Sequence, residues 1–206
     1  MSNKIDFSHK IKSSFEGPSS SYYTAKNRFD EILKNKLGVK TQPTAAATSA
    51  MPSLSGTALS MSGIFDDVTL KSGASAADID AKLKGTAMEG LGESFVNAES
   101  KYGVNAWFLT GLAIHESGYG SSAIAQEKNN LFGFQAYDSS PYASAAKFST
   151  KADSVDYVAK YLSESYLTPG GTYYNGVSID SIGKRYATDT AWAEKVKKHM
   201  ATLLQA

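Results

Sequence analysis

The sequence predicts an α+β domain that is mostly helical, with one small β element. Three observations predict it. Apolar residues recur at spacings of three and four along most of residues 76–206. Alternating, strand-like patterning is confined to LFGFQAY (131–137) and AAKFST (145–150). Residues 41–63, TQPTAAATSAMPSLSGTALSMSG, carry no charge and show neither period, so they cannot bury enough apolar area to offset their ordering entropy. The expected organisation is a flexible arm and linker over 1–65 and a globular domain over 66–206.

The elements follow in order. Upstream of the linker, Phe29, Ile32, Leu33 and Leu37 mark a short amphipathic helix that Gly38 could cap. Ile79 and Leu83 fit one short helix. Leu91, Phe95, Ala98 and Tyr102 fit a second, ended by Gly103. Asn105 is a good N-cap for 106–117, the most apolar helix, with Gly118 as its stop. Ser121 is expected to cap a short helix through Lys128. Asp153 is expected to cap 154–167, where Val155, Val158, Leu162 and Tyr166 form a stripe ahead of Pro169. A helix is expected over 178–186. Asp189 or Thr190 caps 191–205, with Trp192, Val196, Met200 and Leu203 on one face.

Composition excludes several classes. The 206 residues hold 21 Lys plus Arg and 20 Asp plus Glu, a formal net charge of +1, without the basic surplus of a nucleic-acid binder. The surplus that exists is local: residues 1–43 have eight basic against four acidic side chains. Cysteine is absent, which removes disulfides, thiol nucleophiles and Cys-ligated metals. The three histidines are His9, His115 and His199, too few for a His-rich zinc centre. No apolar run is long enough to span a membrane. The opening MSNKIDFSHKIKSSF lacks the apolar core of a secretory signal peptide.

Glu116 is the most informative residue. It ends the most apolar helix, after Leu109, Leu112, Ala113 and Ile114. Apolar surroundings and the negative end of the helix dipole both disfavour a carboxylate there, and both raise its pKa above the ordinary value of about 4.3. A protonated glutamic acid near neutral pH is what a general acid requires. His115 precedes it, but Ser117, Gly118 and Tyr119 follow, so the HExxH of a zinc protease is missing. His115 is expected to be a packing or surface residue. The segment NNLFGFQAYD (129–138) supplies amides at Asn129 and Asn130, a glycine that permits close approach between Phe132 and Phe134, and a second carboxylate at Asp138. Tyr137, Tyr142, Tyr173, Tyr174 and Tyr186 offer apolar faces for a sugar ring and hydroxyls for its polar edge.

The stretch AIHESGYGSSAIAQEKNNLFGFQAYD, residues 113–138, resembles the signature of the peptidoglycan endo-beta-N-acetylglucosaminidases, the glucosaminidase domain of bacterial autolysins, flagellar muralytic proteins and phage lysins. KYGVNAWFLTGLA ahead of it and KRYATDTAWAEKV behind it fit the family's flanking pattern. The resemblance covers about residues 76–206. It implies a lysozyme-like, two-lobed fold with a small β element beside the cleft, no cofactor or metal, and peptidoglycan glycan strands as the partner. The implied reaction is hydrolysis of the β-1,4 bond between N-acetylglucosamine and N-acetylmuramic acid. Glu116 falls on the family's catalytic acid and Tyr186, in RYATD, on a tyrosine placed near the cleft. Asp138 is the best match for the second carboxylate, with Glu127 as an alternative on a short polar helix. Asn130, Phe132, Tyr137 and Tyr119 complete the candidate substrate-binding set with Tyr186. A carboxylate about 6.5–9.5 Å from the acid would activate a water, one at about 5–5.5 Å would act as nucleophile, and a third route uses the substrate's own N-acetyl oxygen. The alternatives are a muramidase or lytic transglycosylase on the same fold, or a non-catalytic wall-binding or flagellar assembly protein. Action outside the cytoplasm without a signal peptide implies export by a flagellar-type route, with 1–65 as adaptor, or carriage by a phage.

Overall fold

The computed structural model describes residues 61–136 and 141–205; residues 1–60 of the expected arm and linker, including the helix expected near Phe29–Leu37, lie outside them. The described chain folds into nine α-helices and one π-helical turn, with no strand among the described residues. Helix α1 spans Met61–Asp66, α2 Ala76–Leu83, α3 Gly92–Tyr102, α4 Ala106–Ser117 and α5 Ala123–Glu127. Helix α6 spans Pro141–Ser144 and α7 Lys151–Leu162, which runs into the π turn Ser163–Leu167; α8 spans Ile179–Tyr186 and α9 Trp192–Leu204. None of these helices is long and apolar enough to cross a membrane.

Helix α4 is the axis of the fold. Ala106 through Ile114 are buried on every side, as a helix apolar all round must be. It starts at Asn105, whose Oδ1 accepts from Phe108 N at 3.1 Å while its Nδ2 donates to Leu70 O at 2.7 Å. It stops at Gly118, in the left-handed region at φ 58°. Helix α9 lies along α4, and the two approach closely at Gly111: a Cβ there would sit 2.7 Å from Met200 Cγ. Helix α3 joins α4 to α2 and α7, while α8 packs on α9.

The domain begins earlier than the sequence suggests. Ile64 on α1 is 2 % exposed and Val68 fully buried, and α1 packs against α8 and α9. The uncharged MSG that opens α1 continues the composition of the linker, and so short a helix shows no period. Two caps also move. Thr150, not Asp153, caps α7: its Oγ1 accepts from Asp153 N, and the carboxylate of Asp153, the third helical residue, accepts from Thr150 N, completing a capping box. Ser122, not Ser121, caps α5. The run expected as one helix over 154–167 changes to π geometry at Ser163, where Ser163 Oγ donates to Tyr102 O at 2.8 Å.

The strand expected at LFGFQAY is absent over its described part. Residues 131–136 form consecutive turns, with positive φ at Gly133 (60°) and Gln135 (60°). The cause is Asn130. Its Oδ1 accepts from Phe132 N at 3.3 Å and Phe134 N at 3.0 Å, and its Nδ2 donates to Phe134 O and Ala146 O, both at 2.9 Å. A side chain thus takes the bonds a neighbouring strand would have made. The segment 145–150 is likewise without strand.

Candidate active site

Glu116 lies in the last turn of α4, half-buried, and its Oε1 accepts from Trp192 Nε1 at 3.0 Å. Trp192 opens α9 and is 3 % exposed. Its ring packs on Tyr186 at the end of α8, with centroids 4.9 Å apart. Tyr186 is itself 3 % exposed. Burial, and then the negative charge of nearby Glu116, push its phenol well above the usual tyrosine value, so it stays neutral.

The chain leaves Glu116 through a strained turn. Gly118, Tyr119 and Gly120 all have positive φ, at 58°, 57° and 76°. For Tyr119 this is an uncommon conformation. Ser117 fixes the turn: its Oγ donates to Ala113 O at 2.6 Å and accepts from Gly120 N at 2.8 Å. Gly120 is required there, since a Cβ would come within 3.2 Å of the Ala87 backbone. The Tyr119 ring meets His199 edge-on at 6.3 Å. His115 is half-buried against His199 and Trp192, with centroids at 5.8 and 6.4 Å. Burial lowers the pKa of both histidines; His199 and Lys195 lower His115 further, and Lys198 lowers His199.

From Trp192 a continuous band of rings leads away. Tyr186 contacts Tyr166 at 5.7 Å, and Tyr166 stacks on Tyr173 at 5.0 Å. Tyr166 also meets Tyr161 at 6.1 Å, Tyr161 meets Phe134 at 5.3 Å, and Phe134 meets Tyr157 at 5.1 Å. The π turn and Gly171 make this possible: a Cβ on Gly171 would fall 2.6 Å from Glu164 O and Ser165 O. Separately, a cavity of about 460 Å³ lies beside the α8–α9 corner, lined in part by Gly183, Lys184, Ala187 and Asp189 but not by Glu116.

Residues 92–205 match the family described as glucosaminidase, mannosyl-glycoprotein endo-beta-N-acetylglucosaminidase. The chain belongs to the glucosaminidase family. A Streptococcus pneumoniae serotype 4 protein, whose name provisionally ascribes to it endo-beta-N-acetylglucosaminidase activity, is 33 % identical over 142 residues, covering 66 % of this chain and 21 % of that protein. The Bacillus subtilis beta-N-acetylglucosaminidase is 29 % identical over 161 residues, 68 % of this chain and 18 % of the relative. The chain therefore spans about a fifth of the length of these curated relatives. Among solved structures, Staphylococcus aureus autolysin E, as a catalytic glutamate-to-alanine mutant with the disaccharide NAG-NAM, matches at TM-score 0.56 and 25 % identity, over 68 % of this chain and 70 % of that one. The described helices thus take the fold of the autolysin glucosaminidases.

Against that family pattern, the structure brings Glu116 and Tyr186 together through Trp192. Asp138 and Tyr137 lie outside the described residues. Asn130 and Phe132, expected to bind substrate, are both buried. Asn130 is 1 % exposed with its amide engaged inside the loop, and Phe132 is 2 % exposed in the core. The Asn130 amide satisfies backbone groups of its own loop, and the Phe132 ring packs in the core. Glu127 is exposed and accepts from Tyr142 Oη. Among the described residues, no group of three or more His, Cys, Asp or Glu could hold a metal ion. Sequence reasoning missed the Trp192–Glu116 hydrogen bond and the contact of the Tyr161 and Tyr166 rings. Their helical spacing reads as core, and nothing in the sequence brings Trp192 beside Glu116.

Proposed function

We propose that this chain is a peptidoglycan hydrolase that cleaves the β-1,4 bond between N-acetylglucosamine and N-acetylmuramic acid, with Glu116 as the general acid. One observation carries this reading: the only glutamate on the buried central helix presents its carboxyl, fixed by Trp192 Nε1 at 3.0 Å, beside the neutral Tyr186 phenol. Glu116 transfers its proton to the glycosidic oxygen. The C–O bond breaks, the electron pair stays on the departing oxygen, and positive charge develops on the sugar ring. Water then completes the hydrolysis. A glutamate-to-alanine catalytic mutant of autolysin E bound to NAG-NAM supports a glutamate in this role.

Asp138 is our candidate for the second carboxylate, with Tyr186, Tyr119 and Tyr137 shaping the sugar site. The substrate is the peptidoglycan glycan strand, no cofactor takes part, and the enzyme acts at the cell wall outside the cytoplasm. The expected flagellar partner draws no support from the relatives named above.

Glu116→Gln tests the assignment. General acid catalysis contributes roughly 10²–10⁴-fold, so clearing of a peptidoglycan suspension should slow by at least about 10²-fold. Near-wild-type clearing by this variant would refute the role. Mass spectrometry of the products separates the chemistries: new reducing N-acetylglucosamine ends are expected, reducing N-acetylmuramic acid would mean a muramidase, and anhydro-muramic ends a transglycosylase.

A further inference from the structure

We propose that Trp192 is a positioning residue for the acid: its indole N–H fixes the Glu116 carboxyl and stabilises the carboxylate that forms as the proton leaves. The proposal rests on Glu116 being the general acid.

The indole has one orientation. Its backbone N donates to Asp189 O at 3.1 Å, and the Asp189 carboxylate holds Lys195 Nζ at 2.6 Å and Ala191 N at 2.9 Å. Tyr186 covers one side of the ring, and the His115 ring meets it edge-on at an interplanar angle of 80°. Gly183 lets α8 approach it: a Cβ there would lie 3.0 Å from Trp192 Cε3. Held in this way, Nε1 meets Glu116 Oε1 at 3.0 Å. An indole N–H only donates. Its bond to an ionised oxygen is about twice as strong as to a neutral one. The interaction therefore strengthens during proton transfer, which is the kind of contact that raises kcat rather than tightening ground-state binding. The titratable and charged groups about this corner include Tyr186 on α8, with Tyr166 and Tyr161 beside it, His115 on α4, Lys195, Lys198 and His199 on α9, Asp189 between α8 and α9, and Tyr119 after α4.

The test replaces Trp192 in the full chain with β-(3-benzothienyl)alanine, which keeps the ring shape and exchanges N–H for sulfur. Trp192→Phe serves as a second variant and Glu116→Gln as control. Rates are read as reducing ends released from peptide-free glycan strands across pH. The expected kcat loss is roughly 10- to 100-fold, the worth of a hydrogen bond to a charged group. KM should stay within about twofold, and Tm should hold for the benzothienyl chain. The basic limb of the pH–rate profile should move to higher pH, because the lost bond favoured the ionised carboxyl. A merely structural tryptophan would leave that limb in place. Wild-type kcat and an unmoved limb in the benzothienyl chain, with Glu116→Gln inactive, overturn the role of Trp192 and leave the acid standing. An active Glu116→Gln overturns the acid itself.

Discussion

Asn130→Ala separates a scaffold amide from a sugar-binding one. The substitution removes one acceptor and one donor group from a side chain that is 1 % exposed. Two backbone N–H groups, at Phe132 and Phe134, lose the oxygen they share. Phe134 O keeps a bond from Ala146 N at 2.9 Å, so its loss is partial. Each buried donor left unsatisfied costs about 1–3 kcal/mol. Two donors and a small void together give about 3–5 kcal/mol, a large share of the 5–15 kcal/mol typical of a domain. With a urea m-value of about 2 kcal/mol/M, the unfolding midpoint should fall by about 1.5–2.5 M. Urea titration followed by tryptophan fluorescence and far-UV circular dichroism reads this directly. A midpoint within about 0.3 M of wild type, together with lost binding to glycan strands, would refute the scaffold assignment and return Asn130 to the substrate-binding set.

Two further outcomes follow from packing and charge. Gly111→Ala places a methyl 2.7 Å from Met200 Cγ and 3.4 Å from Met200 N, where α4 and α9 cross; overpacking of this kind costs about 1–3 kcal/mol, seen as a lower urea midpoint, and an unchanged midpoint would show that the crossing has slack. Burial holds the pKa of His115 and His199 below the ordinary 6.5 in the folded chain. Between that value and the lower folded ones the unfolded chain binds more protons, so stability is full above about pH 6.5 and falls as the pH drops below it. Replacing both histidines with glutamine should flatten urea midpoints measured from pH 7.5 to 5, and an equal slope in the double variant would refute the assignment.

Most of the helical framework was legible in the sequence because its signals are local. Asn105 and Gly118 bracket α4 as expected, and Gly103 ends α3. Ile79 and Leu83 are the buried residues of α2. What failed was non-local. LFGFQ alternates like a strand, but the amide of Asn130 captures its backbone. Trp192 lies 76 positions from Glu116, and its place on an apolar stripe conceals the one polar atom that leaves the core. The resemblance at RYATD singled out Tyr186, but nothing local in the sequence shows its burial. Helix α9 has no side-chain cap bond; instead the Asp189 carbonyl accepts from the N–H of its first residue, Trp192, and the Asp189 carboxylate accepts from Ala191 N just before it.

The two kinds of acid chemistry in such a site ask different things of the fold. A proton donor must lie within about 2.6–3.2 Å of the oxygen it serves, with its carboxyl turned toward it. Packed helices meet that demand better than loops. Here the proposed donor, Glu116, stands on the most buried helix, and Trp192, whose indole it meets, opens the helix packed along it. The distance between them is set by the Gly111–Met200 and Gly183–Trp192 contacts. These glycines permit an approach that a side chain would crowd, so the spacing of Glu116 and Trp192 is a property of the core rather than of a loop. A second carboxylate that works through a water, or leaves the attack to the substrate's acetamide, tolerates looser placement. In the sequence Asp138 precedes Ser139, Ser140 and Pro141, a turn composition, and in the proposed mechanism it is the counterpart of a donor that the core holds in place.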